Sequence, residues 1–154
     1  MRRRGIAVLL AACVLGPGAC RRPAQEASPQ KPAAPDPKTE ALLQAFASAI
    51  VARDYASAYG AVATDVRATL TLQELQEAFG HYRDELPDAL TAEVTIEPYD
   101  KESATLVPEE LRERIVAEGV VHFEPGDDLE GFSAHVWILM ESGEPKLATF
   151  YVED

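Results

Sequence analysis

The sequence predicts an α+β fold: three N-terminal helices packed on an antiparallel sheet, preceded by a signal peptide and a disordered linker. Three observations carry this. Apolar residues recur at three- and four-residue spacing as far as Leu86. After Pro87 the period falls to two. The later segments are joined by short turn-rich stretches rather than long crossover helices, which makes their sheet antiparallel.

In "KTEALLQAFASAIVARD" the residues Leu42, Leu43, Phe46, Ala49 and Ile50 share one helical face. Asp36 followed by Pro37 supplies a cap and a proline at the first helical position. "DYASAYGAVATDVRATL" predicts a second helix capped by Asp54, with Tyr55, Ala58, Tyr59, Val62 and Val66 inward. Gly60 weakens it by about 1 kcal/mol relative to alanine. "TLQELQEAFGHYRDEL" opens with Thr71-x-x-Glu74, a capping box, ahead of an apolar face of Leu72, Leu75, Phe79, Tyr82 and Leu86.

"TAEVTIEPYD" then alternates Ala92, Val94 and Ile96 against Thr91, Glu93, Thr95 and Glu97, as a half-buried strand does. Pro108 before Glu109-Glu110 suits a short helical turn. A strand follows from about Ile115 to Phe123, where Gly119 marks a bulge. "GFSAHVWILM" and "PKLATFYVE" flank the turn "ESGE" as a closing hairpin. In the first of these, Phe132, Val136 and Ile138 form the more apolar face, so His135 and Trp137 fall on the other.

Charge narrows the partners. The chain has 26 acidic against 14 basic residues, a net −12, and every acidic residue follows Cys20. Such a surface repels phosphate backbones and gives no electrostatic hold on anionic lipid, so nucleic acid is not an expected partner. The start, "MRRRGIAVLLAACVLGPGAC", runs from arginines through an apolar stretch to small residues, the build of an export signal. It holds both cysteines. "RRPAQEASPQKPAAPDP" then has five prolines and no large apolar residue, which suits a disordered tether. The organisation read from these features is a signal over residues 1–19, a tether over 20–37 and a domain over 38–154.

The stretch before each cysteine resembles a bacterial lipoprotein signal, in which small residues precede a cysteine that becomes acylated. Gly18-Ala19-Cys20 leaves an apolar region of ordinary length and meets the polar tether directly, but has Pro17 where that pattern carries an aliphatic residue. Leu10-Ala11-Ala12-Cys13 fits the pattern better locally and leaves a shorter apolar region. Cys20 is the favoured lipidation site and Cys13 the alternative. The resemblance implies a membrane contact through the lipid, with the domain in the periplasm or outside the cell.

Within the domain, Arg53-Asp54-Tyr55, Ala58-Tyr59 and Leu70-Thr71 to Leu75, with the closing "HVWILMESGEPKLATFYVED", are similar to the nuclear transport factor two-like superfamily. The similarity covers most of residues 38–154. It implies a curved, cone-like sheet wrapped around the helices and a pocket between them. It implies no reaction, because that superfamily includes isomerases, dehydratases, binding modules and dimerising assembly domains.

The chemistry visible in the residues is sparse. The domain has no cysteine nucleophile, no G-x-S-x-G, no P-loop and no dinucleotide glycine pattern. His81, His122 and His135 lack metal-site spacing, "GDDLEG" lacks the ligand order of a calcium loop, and no metal or cofactor is expected. His122 and His135 fall within diagonal cross-strand reach if their strands form a hairpin. Tyr55, Tyr59 and Tyr82 sit at core spacing, and their hydroxyls need partners. Tyr55, Tyr59, Tyr82, His135 and Trp137 are therefore the candidate pocket or partner surface, without a catalytic assignment. The expected role is a non-enzymatic binding domain of the envelope, for a small ligand or an envelope protein. The alternatives are a small-molecule isomerase or dehydratase using a pocket tyrosine or His81 with an acidic partner, and a homodimerising assembly module.

Overall fold

Asp36 caps the first helix as the sequence predicts: its carboxylate accepts from the Lys38 backbone N–H, and Pro37 opens helix α1, Pro37–Val51. The computed structural model describes residues 36–86, 90–101, 105–126 and 130–153. The signal, Cys13, Cys20 and nearly all of the tether lie outside the described residues.

Helix α1 ends in a Schellman arrangement. The Asp54 N–H donates to Ala49 O and the Arg53 N–H to Ile50 O, with Arg53 left-handed at φ 58°. Asp54 then caps α2, Tyr55–Gly60, by accepting from the Ser57 N–H. The sequence predicts α2 to run on to Val66. It stops at Gly60 because the last strand of the sheet captures the next residues: Leu147 N–H donates to Ala61 O, and Ala63 N–H donates to Leu147 O. Arg67, in a 3-10 turn over Val66–Ala68, closes the break by donating to the carbonyls of Gly60 and Val62. Helix α3, Leu72–Glu85, carries both bonds of the predicted capping box.

Strand β1, Leu90–Pro98, is followed by the short helix α4, Glu109–Arg112, and then by β2, Ile115–Pro125, β3, Phe132–Glu141, and β4, Glu144–Glu153. The four strands form an antiparallel sheet in sequence order. Ser142 and Gly143 both have positive φ, 54° and 82°, so a two-residue turn of the primed kind links β3 to β4. The irregularity in β2 falls between Ile115 and Ala117, not at Gly119. Gly119 has a different task. A Cβ there would collide with the Leu43 side chain, so its absence lets α1 approach the sheet.

That contact fixes which face of the sheet is covered. Phe123 and Val121, at the parity of Gly119, are fully buried with Leu43, Phe46 and Ile50 of α1. Phe79 of α3 is the hub: its ring lies 5.6 Å from Phe46, 6.3 Å from Phe123, 6.4 Å from Phe132 and 5.0 Å from Phe150. Four residues on, Arg83 is only 2% exposed, which its charge did not foretell. Its guanidinium donates to Val51 O at the end of α1 and to Leu86 O at the end of α3. Those carbonyls have no helical partner, so the buried cation serves as a shared C-terminal cap. Leu72, placed by its spacing on the apolar face, is instead 38% exposed at the first turn of α3.

Removing the hub should cost more than crowding the close approach. Phe79→Ala is expected to lose about 3–5 kcal/mol, and Gly119→Ala about 1–3 kcal/mol through overpacking. Urea unfolding of both variants checks the order, and a neutral Phe79→Ala would contradict it.

Candidate functional site

Because the helices cover one face of the sheet, the residues of opposite parity define the other. Register places Val120 of β2 opposite His135, and His135 opposite Tyr151 of β4. Glu118 pairs with Trp137 and Glu153 with Ser133, both diagonal to His135. Two carboxylates thus flank one imidazole. His135 Nδ1 lies 3.1 Å from Glu118 Oε1, and Nε2 lies 3.1 Å from Glu153 Oε1. An ionised carboxylate only accepts, so this arrangement favours the protonated ring, in which both nitrogens donate. Burial disfavours that charge, but the bonds to Glu118 and then Glu153 outweigh it and hold the pKa of His135 above its usual value.

Trp137 stacks beside His135, ring centroids 6.4 Å apart, and is 3% exposed. Among the described residues its buried indole N–H has no hydrogen-bond partner. Thr105 and Leu106, from the β1–β2 connection, border the same place. With Glu118, His135, Trp137, Tyr151 and Glu153 they line a cavity of about 240 Å³.

The five residues singled out in the sequence do not converge. His135 and Trp137 share this cavity. Tyr55 lies in a polar groove of about 490 Å³ beside Arg53, Gly80, His81 and Asp84. Burial and then the Asp84 carboxylate raise its pKa. Tyr59 is occupied with packing: its hydroxyl donates to Arg67 O at 3.4 Å, and the Arg67 guanidinium lies 5.2 Å from its ring. Tyr82 stacks on Phe132 at 5.2 Å. It also lines a groove of about 390 Å³ between α3 and the end of β4, with His81 and Phe150. His122 and His135 are diagonal neighbours, as expected of a hairpin, and His122 Nδ1 bonds to Ser133 Oγ at 2.8 Å. His81 faces Glu85 across 3.9 Å at an exposed position.

Sequence reasoning missed Glu118, Tyr151 and Glu153. The period-two pattern held a signal for them, since Glu118 shares its parity with His122 and Glu153 with Tyr151. Only the register places those parities around His135.

Among the described residues no group of three His, Cys, Asp or Glu is arranged to hold a metal ion, and no helix is long and apolar enough to cross a membrane. Comparison with known protein families, curated proteins and solved structures finds no match.

The imidazolium predicts a pH dependence. Folding raises the pKa of His135 above its ordinary 6.5. Its stabilisation is therefore complete below about pH 6.5 and is lost as pH rises through the folded value. Relative to His135→Gln, the unsubstituted chain should lose stability as pH rises above about 6.5. Denaturant midpoints of both proteins across that rise check this, and parallel profiles would contradict it.

Proposed function

We propose that this chain is an exported lipoprotein of the bacterial cell envelope whose domain binds a ligand or another envelope protein without catalysing a reaction. The outer sheet face carries the binding reading. There an imidazolium is clamped between Glu118 and Glu153 beside a buried indole N–H that lacks an acceptor. A buried donor left unpaired costs about 1–3 kcal/mol, a cost that local packing alone does not explain. The anchor reading rests on the arginines, apolar run and small residues before Cys20, with Cys13 as the alternative site. Three helices followed by a four-stranded antiparallel meander support the resemblance to the nuclear transport factor two-like cone.

One observation favours a second reading, a small-molecule isomerase or dehydratase. The groove at Tyr55 gathers His81 and Asp84 around about 490 Å³. Against it, the raised pKa of Tyr55 leaves that hydroxyl a weaker acid than an ordinary tyrosine.

The anchor is tested by metabolic labelling with an alkyne fatty acid followed by membrane fractionation. Cys20→Ala should abolish the label and move the protein to the soluble fraction, while Cys13→Ala should leave both unchanged. Loss of label in Cys13→Ala alone would move the site, and label in neither parent nor variants would remove the anchor.

A further inference from the structure

We propose that the cavity on the outer sheet face binds an organic cation, an alkylammonium or guanidinium group. This rests on the binding reading above and names its ligand class.

Charge is the first ground. Residues 91–97, 118–124, 133–137 and 149–153 build this part of the sheet, and they contain five glutamates and no lysine or arginine. Glu97 lies directly opposite Glu118, a like-charge pairing that sheet stability alone disfavours. The imidazolium of His135 offsets one charge and leaves the pair of carboxylates around it with a net negative charge. The acidity of the whole chain adds a long-range attraction for cations.

Geometry is the second. Glu118 and Glu153 each engage His135 through Oε1, and among the described residues neither Oε2 has a protein donor. Two acceptors therefore remain on either side of one small cavity of about 240 Å³. The site does not suit a bare metal ion, because both nitrogens of His135 are committed to the carboxylates and no third ligand group is arranged there. An organic cation needs no lone pair from the ring.

The cavity walls are the third. Tyr151 is 43% exposed and Leu106 57% exposed, an aromatic face and an aliphatic side chain open to solvent at the rim. A cationic head beside an aromatic ring gains from the ring quadrupole, and its carbon stem gains from apolar contact. Trp137, whose buried indole N–H has no acceptor among the described residues, lies in the same wall.

The chain has one tryptophan, and it is at the site, so intrinsic fluorescence reports binding. The full chain in non-ionic detergent is titrated at fixed ionic strength with agmatine, argininamide and the tripeptide acetyl-Gly-Arg-Gly-amide, with glucose as a neutral control. Saturable responses to the guanidinium compounds are expected. A free-ligand preference identifies a small metabolite, and a tripeptide preference identifies a partner polypeptide. Glu118→Gln with Glu153→Gln should weaken binding by about tenfold or more, while Glu93→Gln on the same face should change it less than about twofold. Glu153→Gln alone, at the exposed strand end, serves if the double variant does not fold. Equal loss in Glu93→Gln would reduce the effect to diffuse charge and overturn the site. Response to glucose with none to the cations would overturn the ligand class and leave the binding reading standing. No response to any probe would overturn the cation proposal, and the binding reading would then rest on its unpartnered donor alone.

Discussion

Helix α3 holds the structure together through two side chains one turn apart. Phe79 reaches α1 and three strands with a single ring. Arg83 closes the ends of α1 and α3 with one guanidinium. The first is dispersion and apolar burial, which is non-directional and tolerates small shifts. The second is a set of charge-assisted hydrogen bonds, which fixes position and angle. Together they set where the helical layer lies on the sheet. A buried cation without partners would cost several kcal/mol, and the carbonyls at the two helix ends offset part of that cost for Arg83.

Once the helices seal one face of the sheet, the chemistry has only the other face and the grooves beside α3. The interior between helices and sheet is occupied by the rings around Phe79, so polar residues assemble outside it. On the outer face the strands bring Glu118, His135 and Glu153 into line from three different strands. The sheet serves as a rigid frame for this cluster, because its positions are set by ladder hydrogen bonds rather than by a loop. Its composition runs against stability in two respects: Glu97 opposes Glu118, and the Trp137 indole N–H is unpaired. Features that local stability disfavours concentrate where a molecule meets something else.

Local chemistry made much of the fold legible in sequence. Asp36-Pro37, Asp54 and the Thr71-x-x-Glu74 box are instructions read within one helical turn, and each operates as written. The same holds for the Ser142-Gly143 turn and for the parity that separates Phe132, Val136 and Ile138 from His135 and Trp137. The Arg53-Asp54-Tyr55 stretch that carries the family resemblance proves to be a helix junction, with Arg53 closing α1 and Asp54 capping α2. What was not legible depended on distant partners. Helix α2 is cut short by β4, more than eighty residues on in sequence. Arg83 is buried because two helix ends meet at it, and Glu153 joins His135 only through the register of the last hairpin. Of the five candidate residues, the two on one strand stayed together, and the three tyrosines dispersed because helical spacing cannot say which neighbour each will face.

The most direct test of this account is native-state hydrogen exchange followed amide by amide. If Phe79 and Arg83 bind helices and sheet into one cooperative unit, the slowest amides of α1, α3, β2 and β3 will share one opening free energy, equal to that of global unfolding. If α3 opens at a distinctly lower free energy while β2 and β3 stay protected, the helix does not hold the fold together and the account is wrong.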